Sequence, residues 1–127
     1  MPFHRYRSDL VSPHTGETYG IFIAVWHLIR DKQVTPADEA EYWEQRRWFE
    51  ANLPIPPFYA EGNPLRAIAW FKDSTLQDPV LDRLSFYRDL AARHGLNITL
   101  ETTNQPGTII YEDRFQIAAW NRPESNN

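Results

Sequence analysis

The segment Thr35-Pro36-Ala37-Asp38 fixes where a helix begins, and Pro54 fixes where it ends. A threonine hydroxyl accepts a bond from a first-turn amide, and proline suits the first helical position because an N–H there would have no partner. A carboxylate in the first turn meets the positive end of the helix dipole. Pro54 lacks a donor and its ring clashes with the preceding turn, so the helix is predicted over 36–53. Tyr42, Trp43, Phe49 and Leu53 form its apolar stripe. Such a stripe needs an apolar layer to lie against, and the rest of the chain must supply one.

Residues 3–7 alternate aromatic and cationic side chains, which predicts a strand with Arg5 and Arg7 on one face. Residues 8–18, with Pro13 and Gly16 among polar side chains, read as a long loop. Over 19–31, Ile21, Phe22, Val25, Trp26, Leu28 and Ile29 recur at helical spacing and predict a largely buried helix. The stretch from Leu53 to Tyr59 is too rich in proline for regular pairing. It predicts a stiff extended crossing that places Phe58 and Tyr59, closed by a turn at Gly62-Asn63-Pro64.

A short apolar strand is predicted over 67–72, with Ile68, Trp70 and Lys72 on one face. Asp78-Pro79 opens a third helix whose stripe is Val80, Leu84, Tyr87 and Ala91, and His94-Gly95 ends it with a cation and a left-handed cap. Residues 97–102 alternate as a strand with one wet face, followed by a turn at Asn104-Gln105-Pro106-Gly107. Two further strands, 108–112 and 115–120, are joined by a tight turn at Asp113-Arg114 or by a bulge within one longer strand. The polar tail 121–127 is expected to fray.

The resulting order, β-α-α-β-α-β-β-β, lacks the regular alternation of a doubly wound parallel sheet and predicts α+β. We expect a single domain over 1–127, with a mostly antiparallel sheet of four to five strands and three helices on one face. The helix aromatics would pack against Ile68, Ile98, Leu100 and Ile110.

Several functions are excluded by what the chain lacks. It has no cysteine, which removes disulfides, thiolate zinc sites and cysteine nucleophiles and suits a reducing cytoplasm. Its histidines stand at 4, 14, 27 and 94, without the spacing of a zinc-binding helix, so neither a metal nor another cofactor is expected. A net charge of −4 gives no electrostatic reason to bind nucleic acid. The start lacks the apolar stretch of a signal peptide, and the longest apolar run, 21–26, is too short to cross a bilayer. A cytoplasmic protein without membrane contact is therefore expected. No Gly-rich phosphate loop and no Gly-x-Ser-x-Gly elbow occurs.

Tyr19-Gly20-Ile21-Phe22, Trp48-Phe49, Asn63-Pro64, Ala69-Trp70-Phe71-Lys72, His94-Gly95 and the segment from Pro106 to Asp113 with Gln116 carry a resemblance. With these residues the chain resembles a family of small uncharacterised proteins of bacteria and phages. The resemblance implies a shared fold and assigns no activity.

The polar residues that sheet ends could gather are Arg5, Arg7, Lys72, Tyr111, Glu112, Asp113 and Gln116. Adjacent carboxylates beside cations suit general acid–base work if burial separates their pKa values, which makes Glu112 and Asp113 the catalytic candidates. Arg5, Arg7 and Lys72, with Tyr111 and Gln116, are the candidates for holding an anion, the arginines through paired donors and the lysine as a point charge. The same groups also serve as salt bridges and as edge protection in proteins that bind nothing there.

The expected function is therefore a small binding domain for an anionic small molecule or a protein partner, such as a phage or mobile-element inhibitor or regulator. Exposed Phe58 and Tyr59 would suit a protein partner. The alternative is an enzyme acting on a nucleotide-like anionic substrate, by ADP-ribosyl transfer or hydrolysis. Glu112 would then be general acid or base, with Arg7 and Lys72 as anchors.

Overall fold

The computed structural model describes residues 2–13, 16–57, 61–63 and 66–120. His14, Phe58, Tyr59, Pro64 and the tail from Asn121, each given a part above, lie outside the described residues.

The first strand, β1, runs Phe3–Val11, well past the alternation that announces it, and a short strand β2, Thr18–Gly20, folds back on it. Ser8 explains how a polar stretch stays in the sheet. It is fully buried, donates to the Tyr19 carbonyl at 3.1 Å and accepts from Leu10 N at 3.2 Å. The long loop expected here shrinks to a turn in which Ser12 N donates to Glu17 O at 2.8 Å and Gly16 N to Ser12 O at 2.9 Å. Helix α1, Ile21–Arg30, starts only after Tyr19 and Gly20 have been used by β2, and it buries Ile21, Ala24, Val25, Leu28 and Ile29.

Helix α2, Pro36–Asn52, begins as its sequence requires, with Thr35 Oγ1 accepting from Asp38 N at 3.1 Å. It buries Tyr42, Gln45 and Phe49, while the half-buried Trp43 turns its N–H to Glu39 at 3.3 Å. Strand β3, Ile68–Lys72, runs into a 3-10 turn, Asp73–Thr75. Helix α3, Val80–Arg93, buries Val80, Leu84, Tyr87, Leu90 and Ala91. Its end is a Schellman motif: Leu96 N donates to Ala91 O at 2.9 Å and Gly95 N to Ala92 O at 3.1 Å, with Gly95 at a φ of +76° that a side chain would strain.

Strands β4, Thr99–Thr103, β5, Thr108–Glu112, and β6, Gln116–Trp120, complete a six-stranded, wholly antiparallel sheet. One edge of β1 pairs with β4 from Phe3↔Thr103 to Arg7↔Thr99. Its other edge pairs with β3 at Phe3 and His4 and with β2 from Arg7 onward. Beyond β3 come β6 and then β5. The α+β class and the single layer of helices hold, with six strands where four or five were expected. The additional strand, β2, is three residues long and offers no alternation to read.

The linker between β4 and β5 shows that this sheet is curled. The two strands are consecutive in sequence but lie on opposite edges. Four strand spacings cover about 19 Å of a flat sheet. The few residues between Thr103 and Thr108 reach at most about 18 Å when fully extended. The edges must therefore bend toward each other. Gln105 and Pro106 of this linker line a depression together with Arg5 and Trp70, so the chord runs over the face that carries Trp70. That face is the concave one.

The opposite face carries the helices. Phe22 of α1 lies 6.2 Å from Phe71 of β3, 5.1 Å from Phe49 of α2 and 5.0 Å from Tyr87 of α3, ring centre to ring centre, all edge to face. Tyr6 and Phe71 are the buried sheet residues of this core, and Ile98 packs against it as expected. Ile68 and Leu100 do not join it. Ile68 is two residues from Trp70 and shares its face, in a second cluster with Ile117, Ala119 and Phe3. Leu100 is on the outermost strand and remains 47% exposed, and Ile110 falls in the bulge between Ile109 and Tyr111.

Candidate functional site

The seven residues singled out in the sequence separate into three groups. Lys72 and Glu112 form the first: Lys72 Nζ is 2.6 Å from Glu112 Oε2, a bridge between β3 and β5 across β6. Tyr111, Asp113 and Gln116 form the second, in the β5–β6 turn. Asp113 Oδ1 accepts from Phe115 N at 2.7 Å and Gln116 N at 3.0 Å, while Oδ2 accepts from the Tyr111 hydroxyl at 2.7 Å and the Gln116 amide at 3.4 Å. Partial burial raises the Asp113 pKa, but these bonds outweigh it and hold the carboxyl below its usual range. The same bond to Asp113 raises the Tyr111 phenol. Gln116 also donates to the Pro54 carbonyl at 2.6 Å and so ties the turn to the end of α2. Both Asp113 oxygens are engaged in shaping the hairpin.

Arg5 and Arg7 form the third group, joined by a residue the sequence reading left out. Glu101 sits opposite Arg5 in the β1–β4 register, and its Oε1 lies 3.9 Å from Arg5 Nε and 3.5 Å from Arg7 Nε. Arg7 also faces Asp9 at 3.9 Å. Phe3 pairs with Lys72, so four residues of β1, about 13 Å of strand, separate Arg7 from the Lys72–Glu112 bridge. The structure does not bring Arg7, Lys72 and Glu112 to one point.

What the curled sheet does assemble is a depression of about 140 Å³ on its concave face. Arg5, Trp70 and Ile68 line it from the central strands, Glu101 and Thr103 from β4, and Glu17, Gln105 and Pro106 from the flanking turns. Arg5 is only 5% exposed, its guanidinium donating to the Thr18 carbonyl and standing 5.7 Å from the centre of the Trp70 ring. Trp70 is 8% exposed and its indole N–H is buried with no hydrogen-bond partner, the single such side-chain atom among the described residues. A buried donor left unpaired costs about 1–3 kcal/mol, and Trp70, which carries this one, is among the residues that line the depression.

His4, which no motif in the sequence singles out, holds three elements together. Its Nδ1 is 2.9 Å from Thr102 Oγ1 on β4, and its Nε2 is 2.7 Å from Asp73 Oδ1 on the turn after β3. Only register reveals such partners, because Thr102 is 98 positions away in sequence. On α2, Arg46 stands 5.6 Å from the Trp26 ring and 5.4 Å from the Trp43 ring, and donates to Tyr42 at 3.2 Å.

Among the described residues, no group of three His, Asp or Glu side chains is placed to hold a metal ion. Among them also, no helix is long and apolar enough to cross a membrane. No family model, no curated protein and no solved structure matches the chain.

Proposed function

We propose that the protein is a small binding domain whose ligand enters the depression between Arg5, Trp70 and Glu101 on the concave face of the sheet. The unpartnered indole N–H of Trp70 carries this reading, because a bound acceptor would remove the penalty of its isolation. The nitrogen is covered, so this reading requires the lining of the depression to shift as an acceptor enters. A sheet that curls around its own side chains is a usual place for such a site, since the rigid strands hold the polar groups in position.

An anion, the ligand class suggested by the cations alone, gains little support. Arg5 and Arg7 already share Glu101, and Lys72 has Glu112. Glu112 is likewise bridged to Lys72 and stands apart from the first-strand arginines that an ADP-ribosyl-transfer site would set beside it. A thermal-shift screen of small polar compounds tests the reading, since a ligand that binds only the folded form raises its melting temperature. Hits should lose their effect in Trp70→Phe, which keeps the ring and removes the N–H. Hits that survive this substitution would place the site elsewhere.

A further inference from the structure

We infer that the depression selects an uncharged amide, a molecule presenting a carbonyl oxygen and an N–H within a few ångströms of each other; this rests on the binding site proposed above. Among the described residues the lining contains one guanidinium, Arg5, and two carboxylates, Glu17 and Glu101, the latter shared between Arg5 and Arg7. The Trp70 N–H needs an acceptor. A carboxylate or phosphate would supply one, but it would meet both glutamates and would have to displace Glu101 from Arg5 and Arg7. An ammonium ion suits the glutamates, but it approaches Arg5 and leaves the indole N–H as it was. An amide satisfies both requirements without adding charge. Its carbonyl accepts from Trp70, and its N–H donates to Glu101 or the Thr103 hydroxyl.

The size of the space narrows the class further. About 140 Å³ is well short of the space a drug-sized ligand fills. A primary carboxamide, a small lactam or a cyclic ureide is of a size to enter it. Ile68 and the Trp70 ring supply an apolar wall for the carbon skeleton of such a molecule.

The test is a chemical-shift titration of the backbone amides of Arg5, Glu101 and Thr103 with acetamide, 2-pyrrolidone, acetate and ethylamine at equal concentrations. Acetamide and 2-pyrrolidone should bind at least about tenfold more tightly than either charged probe, a difference of one buried hydrogen bond. Glu101→Gln, which frees Arg5 and Arg7 from their shared carboxylate, should raise acetate affinity by at least about fivefold. If acetate or ethylamine binds as tightly as the amides, and Trp70→Phe abolishes that binding, the ligand class is wrong while the site stands. If no probe moves these amides, the inference falls with it, and the broad thermal-shift screen decides the site separately. Circular dichroism of both variants establishes that they fold.

Discussion

Lys72 Nζ stands 2.6 Å from Glu112 Oε2, so the cation of β3 and the carboxylate of β5 neutralise each other across the strand between them. Both side chains are partly in solvent, at 25% and 57% exposure, where an ion pair contributes only about 0–1 kcal/mol after screening. Urea unfolding of Glu112→Gln should therefore give a stability within about 1 kcal/mol of the parent. Affinity for a ligand bound at Trp70 should not change. A large loss of binding in this variant would move the site toward the bridge.

Asp113 has a different role from its neighbour. Its carboxylate accepts from the amides of Phe115 and Gln116 and from the Tyr111 hydroxyl, and together these bonds hold its pKa below that of a free aspartate. A depressed native pKa stabilises the fold above the unfolded value, about 3.9, and that stabilisation is lost as pH falls through the native value. Asp113→Ala should cost about 1–3 kcal/mol at neutral pH, and the gap to the parent should narrow in acid. Unfolding curves at pH 7 and near pH 3 check both statements.

Tyr87 limits stability at the other end of the pH scale. It is 2% exposed between α1 and α2, and burial, with Tyr42 nearby, pushes its phenol far above the usual tyrosine value. Burial also raises Tyr42. A raised native pKa contributes stability that is complete below the unfolded value, about 10, and is lost as pH rises through the native one. Absorbance at the tyrosinate band should show these two phenols ionising together with unfolding, after the exposed ones. Smooth titration of all the tyrosines in a folded protein would contradict this placement.

The helices were legible because their ends are written locally. Thr35-Pro36 and Pro54 bracket α2, and His94-Gly95 closes α3 with bonds that span only a few residues. The sheet was legible as strands but not as an object. Nothing near Arg5 announces Glu101 as its cross-strand partner, and nothing near His4 announces Thr102, because register arises only when distant segments meet. The curl was hidden for the same reason. It follows from β4 and β5 taking opposite edges despite a short linker, which no local pattern records. Alternation put Trp70 on one face with Ile68, but that face, expected to meet the helices, is the one turned away from them, and the missing hydrogen bond of Trp70 is a property of the packed face. The charged residues drew notice because they are conspicuous in sequence; Lys72 and Glu112 proved to be each other's partners, and Arg5 and Arg7 share Glu101.

The indole N–H resonance of Trp70, assigned by its disappearance in Trp70→Phe, reports on the proposed contact with no other residue intervening. On saturation with a compound from the thermal-shift screen, it should move by more than the resonances of the other four tryptophans, in the direction of a newly formed hydrogen bond. A compound that binds and stabilises the protein while this resonance stays still would contradict the account.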